Sequence, residues 1–257
     1  MVSVGVTSSL VDRSPADAQG DLVEQGRQLY RQGCVSCHGL DGKGVGRGDE
    51  ARGPSLTMAG EAGAYYQLST GRMPLNDPDQ EPRRSEPAYG PAEVRALTEY
   101  VASLGDGPAL PVLELTGAEL AEGGEIFRAN CQACHGATGA GGALSYGRAA
   151  PSLGQAERQQ IAAAVRSGPG QMPVFSPRTI DQRELHNLVA YVRYLRSPRD
   201  PGGLPIGRVG PVPEGFVAWS VGVVLLLACV YWIGTRSPIG RRSEGHDTAT
   251  PAGGPER

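Results

Sequence analysis

The chain has 257 residues, a formal net charge of -3, and an apolar share of 39% with only 5% aromatic residues. Near-neutral charge excludes the electrostatic footprint of a nucleic-acid binder. So thin an apolar share is poor material for one large self-packed core, and a group other than side chains is expected to fill part of the interior. Glycine (38) and proline (21) are both abundant, which predicts compact pieces joined by loops and linkers.

In chain order, segment 1–24 opens MVSVGVTSSLVDRSPADAQGD and has no basic stretch leading into a sustained apolar run. An opening helix follows and ends in GRQLYRQGCVSCHGLDGKG (26–44), where Cys34 and Cys37 lie three apart with His38 directly behind. Pro54 begins a PSL stretch, Met73 stands in TGRMPL, and the loop LNDPDQEPRRSEPAYGP (75–91) leads to a closing helix, EVRALTEYVASL (93–104). Pro91 opens that helix and Gly105 ends it, as capping preferences require. After a linker, 106–115, the pattern returns: GGEIFRANCQACHGATGAGG (123–142) carries Cys131, Cys134 and His135. A second PSL begins at Pro151, PGQMPVF carries Met172, and ELHNLVAYVRYL (184–195) is a second closing helix. An offset of 97 superposes Gly26 on Gly123, Leu29 on Ile126, Tyr30 on Phe127, the cysteines, the histidines and the two PSL stretches. This is an internal duplication. Its halves are read as 25–105 and 116–196.

Segment 197–214, rich in proline and glycine, reads as a stalk. GFVAWSVGVVLLLACVYWIGT (215–235) then runs 21 residues without a charge, long enough to span a bilayer core, with Trp219, Tyr231 and Trp232 near its ends. Arg236, Arg241 and Arg242 follow closely, against Arg208 alone on the other side, which predicts a cytoplasmic tail, 236–257, and everything before the span outside the cell. That topology requires export, so segment 1–24 is expected to be the remnant of a signal, with the true start farther upstream or the signal left out.

Two thiols one helical turn apart, followed by histidine, are the attachment signature of c-type haem. Each thiol adds across a vinyl group of one porphyrin and the histidine ligates its iron. Zinc would need a further ligand pair at short spacing, whereas His186 and His246 stand alone. A redox dithiol would need a preceding β-strand, which neither pair has. The expected cofactors are therefore two covalently bound haem c groups, one on Cys34 and Cys37, the other on Cys131 and Cys134, with His38 and His135 as axial ligands. Met73, 35 residues after His38, and Met172, 37 residues after His135, share the pattern Gly-x-Met-Pro and are the expected sixth ligands. Met58 has no counterpart and is read as an ordinary methionine. His186 falls where the first half has Arg95 and is given an exposed, structural role. Tyr30/Phe127 and Tyr100/Tyr191 are read as helix packing rather than electron relay. Cys229 is expected to face lipid or a partner helix. Loop 75–91 has no equal in the second half and is read as a variable surface loop or, less readily, as a docking surface.

Taken together, CxxCH, PSL, GxMP and a closing helix, all repeated and followed by one membrane helix, resemble the di-haem cytochrome cc subunit of the actinobacterial-type cytochrome bcc (bc1-like) complex. The resemblance runs from Gly26 to about Thr235. It implies an all-α fold of two tandem class-I-like cytochrome c domains and a C-terminal transmembrane helix. It also implies that the carbonyls of Pro54 and Pro151 receive the second nitrogen of each axial histidine, fixing the ring. The implied partners are the Rieske iron-sulfur and cytochrome b subunits, a terminal cytochrome oxidase and the plasma membrane, with no nucleic acid. The implied role is the electron-transfer subunit of a proton-translocating quinol:cytochrome c reductase, with electrons arriving from the Rieske centre and leaving to the oxidase. Catalytic residues: none are expected, because no acid-base or nucleophile constellation is present. A di-haem peroxidase is an alternative that paired methionines disfavour, since both irons would be closed. A di-haem subunit of a terminal oxidase is another, disfavoured by the position of the membrane helix after the haems.

Overall fold

The computed structural model describes residues 15–46, 48–198 and 211–236. The start of the supposed signal remnant (1–14), the middle of the stalk (199–210) and the tail beyond Arg236 lie outside the described residues. The chain divides into two compact units, Met1–Leu204 and Pro205–Arg257.

In the first unit, the first half contributes α1 (Pro15–Gly33), α2 (Val35–His38), α3 (Gly60–Ser69) and α4 (Pro91–Ala102). The second half contributes α5 (Leu120–Asn130), α6 (Gln132–His135), α7 (Arg158–Ser167) and α8 (Gln182–Arg196). Segment 1–24 is thus helical from Pro15 and continuous with the opening helix. The fold is mostly α, but the all-α expectation needs one correction: Gly142–Ala143 (β1) pairs antiparallel with Ala149–Ala150 (β2), and in the first half Val45 bridges Gly53.

Why the two halves align on a glycine becomes clear where opening and closing helices cross. A Cβ on Gly26 would lie 1.9 Å from the Ala96 carbonyl oxygen of α4, and one on Gly123 would lie 2.1 Å from the Asn187 carbonyl oxygen of α8. Only a residue without a side chain allows so close a backbone approach. Around the first crossing pack Tyr30, Leu68, Val94, Leu97 and Tyr100; around the second, Phe127, Ile161, Leu185, Leu188 and Val189. Tyr30 and Tyr100 rings meet at 5.0 Å, Phe127 and Tyr191 at 5.6 Å, both tilted, which is packing geometry. The first closing helix starts at Pro91 as its sequence predicts and ends at Ala102, ahead of Gly105. Glu93 accepts from the Gly90 N–H (2.8 Å) ahead of Pro91, and Asp181 and Glu184 cap each other's backbone N–H at 2.8 and 2.7 Å.

Helices α3 and α7, which the sequence reading does not single out, are where the halves meet. They pack on one another through Ala62, Tyr66 and Ala163, all buried, the two alanines completely. Small side chains permit the approach. The linker is tied down across this contact: Glu61 accepts from Leu110 N–H at 2.8 Å, Gln159 donates to the Pro111 carbonyl at 2.7 Å, and Gln182 to the Val112 carbonyl at 2.6 Å. His186 lies 3.2 Å from the same Val112 carbonyl, a structural role as read for it, but it is half-buried rather than exposed.

The second unit contains α9 (Pro211–Arg236). Val212–Arg236 has a mean hydropathy of 2.3 with none of it buried in the protein, and Cys229 is exposed on it. At about 1.5 Å per residue its 25 residues exceed a hydrocarbon core of roughly 30 Å. An apolar helix with no protein cover is stable where lipid replaces water.

Candidate functional site

Both CxxCH segments are built alike. After α1 the chain continues directly into the short helix α2: Cys34 N–H donates to the Tyr30 carbonyl at 2.8 Å and His38 N–H to the Cys34 carbonyl at 2.9 Å. In the second half Cys131 N–H reaches Phe127 at 2.8 Å and His135 N–H reaches Cys131 at 2.9 Å. Each histidine is followed by a glycine at φ 75°, in the left-handed region, which stops the helix and turns the chain back beneath it. Gly44 N–H then donates to the His38 carbonyl (2.9 Å), and Gly141 N–H to that of His135 (2.8 Å).

The turn delivers the PSL stretch to the imidazole. His38 Nδ1 is 2.8 Å from the Pro54 carbonyl oxygen and His135 Nδ1 is 3.0 Å from that of Pro151. A carbonyl only accepts, so Nδ1 donates in each ring and Nε2 is the nitrogen left to face a ligand. That arrangement is the one in which an imidazole presents Nε2 to a metal. His38 is 9% exposed and His135 half-buried.

Met73, half-buried, packs against the cluster of Tyr30, Leu68 and Leu97 that Cys34 and Leu56 also line. Met172 packs against the cluster containing Phe127, Ile161 and Cys131. Each half therefore gathers its methionine and the first cysteine of its motif around one apolar cluster. Met58 is 70% exposed and takes no part. Burial pushes the thiols of Cys34 and Cys131 up to about 11, with the neighbouring cysteine adding to the effect, so both are neutral thiols near pH 7.

Three polar residues that the sequence reading did not single out shape the methionine loops. Arg166, 5% exposed on α7, donates to the carbonyls of Phe175 (2.9 Å) and Ile180 (2.8 Å) and, more weakly, to Asp181 (3.4 Å), clamping the segment after Met172 to the start of α8. Burial lowers the pKa of Arg166, though far too little to discharge a guanidinium. At the first methionine loop, Arg84 donates across the contact between the halves to Gln160 of α7. A charge at a helix position flanked by buried residues, as in AAAVRSGPG, is the one sequence signal of such a clamp.

Comparison with known proteins agrees with this architecture. The family described as Cytochrome c matches residues 23–105, and that described as Cytochrome C oxidase, cbb3-type, subunit III, matches residues 118–192. The cytochrome bc1 complex cytochrome c subunit of Mycobacterium bovis is 40% identical over 229 residues, which cover 86% of this chain and 80% of that one. Its counterpart in Corynebacterium efficiens is 38% identical over 251 residues, covering 90% and 83%. A cbb3-type cytochrome c oxidase subunit from Azospirillum sp. is 29% identical over 198 residues, covering 70% and 64%. With the duplicated CxxCH turn, the carbonyl-held histidines and the apolar C-terminal helix in place, the chain belongs to the family of cytochrome c subunits of the cytochrome bc1 complex.

Proposed function

We propose that this protein is a membrane-anchored di-haem electron carrier that accepts electrons from the Rieske centre of a quinol-oxidising bcc complex and delivers them to a terminal oxidase. Family membership supports a membrane-associated electron-transfer role in a respiratory quinol-oxidising complex, as a redox carrier without catalytic acid-base chemistry of its own. The observation that carries the finer reading is the repeated pairing of a CxxCH turn with a histidine whose Nδ1 is spent on a proline carbonyl.

The halves 25–105 and 116–196 are each read as a cytochrome c domain. Cys34 and Cys37 hold one haem c through thioether bonds, Cys131 and Cys134 the other. When bound, each haem supplies a one-electron iron couple. The chain's own residues do the rest: His38 and His135 present Nε2, Pro54 and Pro151 fix the rings and raise their basicity, and Met73 and Met172 offer soft thioethers that favour the reduced metal. The first site also contains an orphaned donor. Arg72, the residue before Met73, lays its guanidinium over the Tyr66 ring at 4.9 Å, but its buried Nη1 has no hydrogen-bond partner, and an acidic substituent of the macrocycle would satisfy it. Apolar clusters exclude water from both sites. Helix α9 anchors the molecule, with the haem domains on the outer face of the plasma membrane and the C-terminus in the cytoplasm. Its partners are the Rieske and cytochrome b subunits and the oxidase.

Mass spectrometry of the membrane-extracted protein tests the reading. Two haem increments and a mature N-terminus consistent with export are expected; one increment, or rapid carbon monoxide binding to half the haem, rejects it. A second reading, a di-haem subunit of a terminal oxidase, is favoured only by the match of residues 118–192. Affinity purification decides: co-isolation with cytochrome b and Rieske subunits supports the first, with oxidase subunits alone the second.

A further inference from the structure

Loop 75–91 has no equivalent in the second half, and its contacts point inward. Ser85 N–H donates to the Thr70 carbonyl at 3.2 Å, and the Ser85 hydroxyl donates to the Gly71 carbonyl. Arg84 Nη2 donates to Gln160 Oε1, on α7 of the other half, at 2.8 Å. Gln160 is 7% exposed and bonded through both atoms of its amide. Its Oε1 also accepts from Glu157 N–H (3.2 Å), and its Nε2 donates to the carbonyl of Ser69, the last residue of α3, at 3.0 Å. The carbonyls of Ser69, Thr70 and Gly71, which lead into Arg72 and Met73, are thus received by Gln160 and by Ser85, and Arg84 ties those two supports together.

Comparison of the halves shows why the first needs this. Aligned on their Gly-x-Met-Pro stretches, Gln67 of α3 falls where α7 has Arg166. Arg166 clamps its own half's methionine loop from within, through the Phe175, Ile180 and Asp181 carbonyls. Gln67 makes no such clamp; its Oε1 is buried without a partner. We infer that Gln160 is a positioning residue acting across the contact between halves, holding the Met73 loop of the first half through Ser69 and through Arg84 of the insertion. The insertion is then an internal clip, and closure of the first metal site depends on the second half being docked, whereas closure of the second depends on its own Arg166.

The inference rests on Met73 being an axial ligand, so the test reads the clip both with and without that assumption. In the full-length haem-loaded protein, Arg84→Ala leaves the capping bond of α7 untouched and is the cleaner variant; Gln160→Ala is the second. Each is expected to raise hydrogen exchange at the Ser85 amide by about tenfold or more. Each is also expected to remove up to half of the thioether-to-iron charge-transfer absorption and to open that share of haem to carbon monoxide. Arg84→Lys, which keeps a charged donor, should restore both signals. Unchanged exchange at Ser85 overturns the clip, and so does a loss of absorption spread evenly over both haems, which is general destabilisation. Met73→Ala separates the two readings. If it leaves the absorption whole, the ligand assignment fails, and exchange at Ser85 alone then upholds or overturns the clip.

Discussion

Tyr30 and Phe127 fill equivalent places, both fully buried, and differ by one oxygen. The Tyr30 hydroxyl donates to the carbonyl of Gly39, directly behind His38, at 2.8 Å. Burial is the main reason its pKa is pushed from 10 to about 12. A folded-state value above the unfolded one means that its stabilisation is complete below pH 10 and is lost as the pH rises through about 12. Tyr30→Phe should therefore cost about 1 kcal/mol at neutral pH and reduce the loss of stability above pH 10, both read by denaturant unfolding across pH. At the other methionine loop, Arg166→Met leaves the buried Phe175 and Ile180 carbonyls without their donor. About 3 kcal/mol of stability should go, with the charge-transfer absorption of the second haem falling before that of the first. Replacing Met73 or Met172 by histidine should lower the potential of the corresponding haem, because the thioether favours reduced iron more than imidazole does; redox titration checks this. All four candidate ligands stand out in the sequence because the residue types and their spacing repeat. Arg84, Gln160 and Arg166 do not, because hydrogen bonds to backbone carbonyls or between distant side chains leave no spacing rule for a reader to find.

Among the elements, the opening and closing helices were legible from apolar residues at helical spacing and from their caps, and even their crossing points are marked by Gly26 and Gly123. Helices α3 and α7 were not. GEAGAYYQLS buries every second residue, Gly60, Ala62, Ala64, Tyr66 and Leu68, so no clean apolar stripe separates core from solvent, and RQQIAAAVRS, though amphipathic, spans only ten residues. The β1–β2 pair escaped for a related reason: glycine and three alanines have no strand pattern, and only the return of the chain behind His135 brings them side by side. The membrane helix was plain from its length and lack of charge. A chain ended at Leu204, the limit of the first compact unit, should leave the membrane fraction with its haem absorption intact. Ultracentrifugation and a visible spectrum suffice. Its electron acceptance from the quinol-oxidising complex should fall at dilute concentration and recover with excess protein, since the anchor sets a high local concentration.

For the molecule as a whole, the contact of α3 with α7 turns a duplicated sequence into one compact unit. Ala163→Glu places a charge opposite Ala62, in a space with no room and no partner. The halves should come apart, with a larger radius in small-angle scattering and fast proteolysis in the 106–115 linker, while the first haem loses more of its charge-transfer absorption than the second. That the linker runs as a strap rather than a free tether was not legible, because the bonds from Glu61, Gln159 and Gln182 exist only once the halves are docked. The same contact has a meaning in time. Translation delivers Cys34, Cys37, His38 and Met73 long before Gln160, so the first half emerges while the support for its methionine loop has yet to be synthesised. The first half on its own is then a piece whose methionine loop lacks its outside support, and that loop settles only when roughly the next ninety residues after Met73 have followed and folded.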